Sequence, residues 1–172
     1  MLNSLDSTIY WLLLGVDDQA YMVACAQTRA TPKSADAWLK RGLIELRCKS
    51  HHDAKASLTR AVRLDHGLTE GWALLSKLWA EDNKPLAALI TAQRVLNTRP
   101  DLAPIVAQTA FALEQQDAVI EALDTLEAVT ASGHVTSQLA RLHARLLGIC
   151  GFSAEANQAL RAVWRASDQQ DR

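Results

Sequence analysis

Two stretches of this chain, AWLKRGLIEL at residues 37–46 and GWALLSKLWA at residues 71–80, place a tryptophan at the same point of a 34-residue step. The chain has 172 residues and only 5 tryptophans, so the matching places of Trp38 and Trp72 need a structural reason. The same step also connects five alanines, which are Ala20, Ala54, Ala88, Ala122 and Ala156. A fixed period of this length indicates repeated supersecondary units that stack on one another.

Other positions keep the step and outline a helical hairpin. Twelve residues before each alanine stand small side chains, which are Thr8, Gly42, Ser76, Ala110 and Ala144. Five residues before each alanine stand mostly turn-forming residues, which are Gly15, Lys49, Asn83, Asp117 and Gly151. In the second unit this predicts a helix from about Trp38, a turn at residues 49–53, and a second helix. Gly42 would let the second helix approach closely, and Trp38 would fill the space beside that contact.

The stretches WLKRGLIE and WALLSKLW, the second-helix stretches AKASL and ANQAL, and the turn NTRPD resemble the tetratricopeptide repeat family. Two positions depart from its pattern, because Arg41 stands in the Leu place and Glu45 in the Tyr place. The resemblance implies an all-α fold, an α-solenoid of five 34-residue helix-turn-helix repeats in a right-handed superhelix. A single domain over residues 1–172 would contain repeats at about 1–34, 35–68, 69–102, 103–136 and 137–170.

The net charge, the hydropathy and the cysteines of the chain limit its possible ligands and its compartment. A net charge of −1 gives no strong field for nucleic acid or an anionic membrane. The apolar run IYWLLLGV is far shorter than a membrane span and has no basic residues before it, so a cytoplasmic protein is expected. Cys25, Cys48 and Cys150 form no paired motif and are predicted to be buried or half-buried thiols in a reducing compartment.

Sequence motifs for catalysis are missing: the chain has no Gly-rich phosphate loop, no HExxH and no GxSxG. His51, His52 and Asp53 are predicted to lie in a loop, where adjacent side chains diverge, so no metal site is expected. The sequence therefore predicts a protein that is not an enzyme and has neither a cofactor nor a small-molecule substrate.

Members of the tetratricopeptide family mostly bind peptides or helices of other proteins along the concave side, which the first helices line. Helical phase places side chains on that side, namely Asp36, Leu39, Lys40, Leu43, Arg47, Glu70, Ala73, Leu74, Lys77, Glu81, Ala107, Gln108, Phe111, Glu114, Gln138, Arg141, Leu142 and Arg145. The mixture of apolar and basic side chains favours a partner with apolar and some acidic residues. The groove has no Asn, so the carboxylate clamp of some family members does not carry over.

Two functions follow from the resemblance. The first is an adaptor or scaffold that binds a partner segment within a multiprotein assembly. The alternative is a dedicated export chaperone, since bacterial type III secretion chaperones of the translocator class are small tetratricopeptide proteins of similar length. Those chaperones typically have fewer repeats than the five predicted here. Identification of the partner separates the two, because a secreted client indicates a chaperone and stable machinery components indicate an adaptor.

The N-terminal stretch LDSTIYWLLLG is apolar nearly all round, and a helix of that kind needs cover on every side. One side can pack on the second repeat, and the other is predicted to be covered by self-association or by a permanent partner. The residues predicted to form this surface are Leu5, Ile9, Trp11 and Leu12.

Overall fold

The structure is a computed structural model that describes residues 17–133 and 136–156, and in these residues it is helical with no strand. The helices are α1 Asp17–Ala30, α2 Ala35–Arg47, α3 His51–Leu64, α4 Thr69–Glu81, α5 Pro85–Thr98, α6 Ala103–Gln115, α7 Val119–Ala131 and α8 Ser137–Ile149. A 3₁₀ turn at Pro100–Leu102 precedes α6, and the chain is helical again at residues 153–156.

The starting points of the helices repeat the 34-residue step found in the sequence. The first helices of successive hairpins begin at Ala35, Thr69, Ala103 and Ser137. The second helices begin at Asp17, His51, Pro85 and Val119. The predicted fold class is therefore confirmed: the chain is an α-solenoid of tetratricopeptide-like helical hairpins.

The alanines that define the period are core residues. Ala20, Ala54, Ala88 and Ala122 have no exposed surface, and Ala156 keeps only 9%. Four residues further along each second helix stand equally buried side chains, which are Ala24, Leu58, Ala92 and Leu126. Residues spaced four apart lie on one face of a helix, so this face is the one each second helix buries. The period exists because every hairpin packs through the same positions.

The first helix of each hairpin ends in the same hydrogen-bonded turn. At the end of α2, the main-chain N–H of Lys49 donates to the carbonyl of Leu46 at 3.0 Å, and that of Ser50 donates to Glu45 at 2.8 Å. This bond pair is the Schellman arrangement, which needs a left-handed residue at its centre. The left-handed residues have φ values of 60° at Lys49, 57° at Asn83, 57° at Asp117 and 86° at Gly151. They are the predicted turn positions.

The chain divides into two compact units, residues 1–75 and residues 76–172. In the first unit α1 packs on α2, and α2 packs on α3. The close approach predicted at Gly42 is present, since a Cβ atom there would lie 2.7 Å from Cγ of Leu58. Gly71 makes a similar approach, because its Cβ atom would lie 2.8 Å from Cγ1 of Val62. The predicted single domain and its repeat bounds stay predictions.

In the second unit α7 packs on α5, α6 and α8. A buried cluster of Ala144, Leu147 and Ala156, with half-buried Leu123 against it, joins α7 to α8 and to residues 153–156. The hydroxyls of Ser76 and Thr109 share a hydrogen bond of 2.8 Å, and both residues are fully buried. Two buried hydroxyls that bond to each other avoid the cost of an unsatisfied polar group.

Two expectations are wrong in detail. His51, His52 and Asp53 form the first turn of α3 rather than a loop, because the left-handed residue Lys49 reverses the chain within residues 48–50. Cys48 is exposed rather than buried, because it caps the end of α2, whereas Cys25 and Cys150 are half-buried as predicted.

The N-terminal surface predicted from Leu5, Ile9, Trp11 and Leu12 lies outside the described residues and stays a prediction. Among the described helices, none combines the length and the hydropathy that crossing a bilayer requires.

Candidate protein-binding faces

Five residues predicted for the groove line one cavity in the second unit. Phe111 projects from α6, and Arg141 and Arg145 project from α8, around a volume of about 360 Å³. Gln138 and Leu142 complete the lining. The α8 residues are spaced three and four apart, so one helix face supplies them all. Thr136 fixes the start of this helix, since its hydroxyl accepts a hydrogen bond of 3.2 Å from the N–H of Leu139.

The floor of this cavity is apolar and its rim is cationic. Leu142 is buried with 2% exposure, Phe111 is half-buried, and both arginines are exposed. Arg145 forms an ion pair between its Nη2 atom and Oε1 of Glu114 on α6. Within the described part of the chain, Arg141 has no carboxylate at ion-pair distance. A partner with an apolar side chain and a carboxylate would match this arrangement.

Other predicted groove residues of this unit do not join the cavity, among them Gln108 and Lys77. Gln108 is exposed on α6, one turn before Phe111, but it is not part of the lining. Lys77 is half-buried on α4 and lies 3.7 Å from the carboxylate of Glu81 through its Nζ atom. This charge is therefore partly balanced within its own helix.

The predicted groove residues of the first unit lie on α2 and the start of α4. Leu43 is 41% exposed, Arg47 is exposed, and Leu39 and Leu74 are half-buried. The ammonium group of Lys40 lies 2.5 Å from a carboxylate oxygen of Asp36, one turn earlier. On this face Leu43 and Arg47 are the predicted residues with the most exposed surface.

A buried ion pair occupies the two positions where the sequence departs from the tetratricopeptide pattern. Glu45 is only 1% exposed, and its Oε1 atom accepts a hydrogen bond of 2.8 Å from Nε of Arg41. Its Oε2 atom is buried without a hydrogen-bond partner. Burial alone lowers the pKa of Arg41, but the hydrogen bond and the charge of Glu45 raise it above its ordinary value. This pair was not predicted, because in the repeat pattern Arg41 and Glu45 are visible only as departures from an apolar and an aromatic residue.

Aromatic rings surround the guanidinium group of Arg41. It lies 5.5 Å from the ring centre of Trp38 and 5.9 Å from that of Tyr21 on α1. The hydrogen bond of Tyr21 with Cys25 is the main reason that the pKa of the tyrosine lies above its ordinary value. These contacts join α1 to α2 around Arg41, so the network has a structural role.

The recurring tryptophans are half-buried, not fully buried, and the indole N–H of each donates a hydrogen bond to a main-chain carbonyl. The indole N–H of Trp38 donates to the carbonyl of Pro32 at 3.0 Å, and that of Trp72 donates to His66 at 3.1 Å. In both cases the acceptor lies six residues earlier, in the loop before the helix. Each tryptophan therefore holds the loop that connects one hairpin to the next.

His51, His52 and Asp53 are exposed on the first turn of α3. Across residues 17–133 and 136–156, the structure gathers no three His, Cys, Asp or Glu side chains in a way that could hold a metal ion.

Comparison with solved structures places this fold among tetratricopeptide repeat proteins. A crystal structure of MamA is similar with a TM-score of 0.80 and 16% identity, over 95% of this chain and 96% of that one. MamA from Desulfovibrio magneticus RS-1 has a TM-score of 0.80 and 10% identity, over 98% and 96%. YrrB, described as a TPR protein with an unusual peptide-binding site, has a TM-score of 0.71 and 16% identity, over 94% and 84%.

At 10–16% sequence identity, the similarity to these structures shows a shared fold and no more. No family model matches the sequence, and no curated protein matches it. The chain has the tetratricopeptide repeat fold, as its period, its left-handed turns and these structural neighbours all show.

Proposed function

We propose that the chain is a non-enzymatic protein-interaction module, an adaptor or scaffold that binds a peptide or helix of a partner within a multiprotein assembly. The observation that carries this proposal is the cavity between α6 and α8, with Phe111 and Leu142 as its floor and Arg141 on its rim. The fold shared with YrrB, which is described as having a peptide-binding site, supports a peptide as the occupant.

The cavity favours a segment that carries an apolar side chain next to an acidic one. The apolar side chain would lie on Phe111 and Leu142 and lose its contact with water, which supplies most of the affinity. The carboxylate would pair with Arg141, which sets the register of the segment and accelerates association. Arg145 would contribute less, because Glu114 already neutralises its charge.

The predicted groove residues of the first unit belong to the same proposal. Leu43 offers an exposed apolar contact, and Arg47 is exposed on the same helix one turn later. The ammonium group of Lys40 contacts Asp36, which partly balances its charge. Leu39, Leu74, Lys77 and Gln108 complete the proposed partner contacts. A cytoplasmic location is also part of the proposal.

Affinity purification from the native cell, followed by mass spectrometry, tests this function. Wild type is compared with Phe111→Glu and with Ile120→Glu, which places the same charge on an exposed residue of α7. We expect a partner that is captured by wild type and Ile120→Glu and is lost with Phe111→Glu, while all three proteins keep the same circular dichroism spectrum.

If a folded Phe111→Glu variant captures the partner as well as wild type does, the partner binds outside the cavity. Capture of nothing but a second copy of this chain would contradict an adaptor and favour the predicted N-terminal self-association. A secreted client among the captured proteins would instead favour the export-chaperone alternative.

A further inference from the structure

The exposed surface of α3 is rich in basic side chains, although Asp53 in its first turn is exposed too. His52, Lys55, Arg60 and Arg63 line a cavity of about 540 Å³ along this helix, together with Ala56, Thr59 and Leu64. We name these four basic residues the α3 stripe. No carboxylate of the described residues lines this cavity. A helix face that only contacts solvent usually mixes both signs, so a lining with basic side chains and no carboxylate needs a separate reason.

Packing does not require the α3 stripe. The face that α3 buries consists of other residues, which are Ala54, Ser57, Leu58, Ala61 and Val62. At the places of the stripe, 34 residues later, α5 has Leu86, Leu89, Arg94 and Asn97. One further step along, α7 has Ile120, Leu123, Ala128 and Ala131. The same fold therefore forms with one basic residue or with none at these places, so the basic set on α3 is not a feature of the repeat.

One member of the α3 stripe is held in place. The guanidinium group of Arg60 lies 4.5 Å from the ring centre of Trp38 on α2. That ring is itself attached to the preceding loop through its hydrogen bond with Pro32. A guanidinium stacked on an aromatic ring loses less freedom when it binds a carboxylate.

We propose that the α3 stripe is a second docking surface, which binds an acidic segment of a protein partner. The charges are complementary, and the stripe extends over residues 52–64, which is about 18 Å of helix. An extended segment of six acidic residues spans about 20 Å and can contact its whole length. This surface lies in residues 1–75 and uses neither Phe111 nor Arg141, so it is independent of the cavity proposed above.

A protein segment fits better than a single-stranded nucleic acid. Single strands bind to surfaces where bases stack on exposed aromatic rings. Among the described residues, Trp38 contacts the α3 stripe, and the guanidinium groups of Arg41 and Arg60 both lie over its ring.

Fluorescence anisotropy of a labelled hexaglutamate peptide tests the proposal with the full chain. Wild type is compared with Lys55→Glu/Arg63→Glu, which reverses two charges of the α3 stripe, and with Lys33→Glu/Lys84→Glu, which changes the net charge equally at exposed loop residues. We expect the first variant to bind at least about tenfold more weakly than wild type, and the second to stay within about twofold. Hexalysine should not bind.

A milder variant, Lys55→Gln/Arg63→Gln, guards against loss of folding and should show an intermediate affinity with an unchanged circular dichroism spectrum. A second readout is the indole N–H signal of Trp38 in nuclear magnetic resonance spectra, assigned with Trp38→Phe. The signal should shift on addition of hexaglutamate, because Arg60 contacts this ring.

Equal loss of binding in the two charge-reversal variants would show a general charge effect and overturn the proposal. Binding of a polyphosphate or a single-stranded oligonucleotide in place of hexaglutamate would assign the α3 stripe to another class of anion and overturn it too.

Discussion

The indole N–H of Trp38 donates a hydrogen bond of 3.0 Å to the main-chain carbonyl of Pro32, six residues earlier. Trp72 makes the same bond to His66 one period later. The shared tryptophan thus has two functions, because its ring packs at the joint of the hairpin while its N–H fixes the preceding loop. A hydrogen bond to a carbonyl explains why tryptophan, rather than another large apolar residue, recurs at this place.

Loss of the indole N–H donor should therefore lower the free energy of unfolding even when an aromatic ring is kept at this position. We expect Trp72→Phe to lower the free energy of unfolding by about 1 kcal/mol, the net value of one hydrogen bond. Trp72→Ala should cost about 3 kcal/mol, at the low end for an aromatic residue because the ring is half-buried. Urea unfolding followed by circular dichroism measures both. A Trp72→Phe variant as stable as wild type would show that the N–H contributes nothing.

Gly42 and Gly148 provide a matched pair of helical glycines. A Cβ atom at Gly42 would lie 2.7 and 2.8 Å from two carbons of Leu58, whereas one at Gly148 meets nothing within 4 Å. Gly42→Ala should lower the free energy of unfolding by about 1–3 kcal/mol through overpacking. Gly148→Ala should raise it by about 0.5–1 kcal/mol, because alanine restricts the unfolded chain more. If both changes stabilise the protein, α2 and α3 are not in close contact at Gly42.

The close contact at Gly42 was predictable from sequence, because the helical period fixes which positions face each other. The five buried alanines were predictable for the same reason. The turn after α2 was predicted to extend to residue 53 but closes at residue 50, because Lys49 itself adopts the left-handed conformation, which is uncommon for lysine. The hydrogen bonds of Ser50 and Lys49 then close the turn in three residues, and the histidines fall inside α3.

Substitutions to and from glycine test the left-handed residues at the ends of the first helices. Lys49 has φ of 60°, which strains any residue with a Cβ atom, whereas Gly151 has φ of 86° at the equivalent place. Lys49→Gly should raise the free energy of unfolding by about 1 kcal/mol, and Gly151→Ala should lower it by a similar amount. Thermal unfolding compares them, with Lys49→Ala as a control for the lost charge. If Lys49→Ala raises the free energy of unfolding as much as Lys49→Gly does, the gain comes from removal of the lysine charge and not from the left-handed backbone.

The candidate site was only partly predictable. Helical phase selected Phe111, Arg141 and Arg145, because residues three and four apart share a face. It could not reveal that Glu114 pairs with Arg145, since that contact joins two helices whose relative position the sequence does not specify. The four basic residues of the α3 stripe share one face by helical phase, but a second helix is not expected to line the concave side, so the family resemblance does not mark them as a binding surface.

The buried pair of Arg41 and Glu45 should show strong coupling. Arg41→Leu leaves the carboxylate of Glu45 buried without its cation, so the free energy of unfolding should fall by about 3–5 kcal/mol. Arg41→Leu/Glu45→Leu removes both charges, and we expect it to recover most of that loss. A double-mutant cycle in urea measures the coupling. Additive effects of the two single changes would mean that the pair does not form in solution.

The claim that the cavity between α6 and α8 binds a partner segment can be tested most directly by site-specific photo-crosslinking in the native cell. A photoreactive amino acid replaces Gln138, which is exposed and lines the cavity, in one protein and exposed Ile120 on α7 in another. We expect one protein attached at position 138, absent at position 120, and lost when Phe111→Glu is added. Attachment of the same protein at position 120 alone, or attachment at position 138 that survives Phe111→Glu, would contradict this claim.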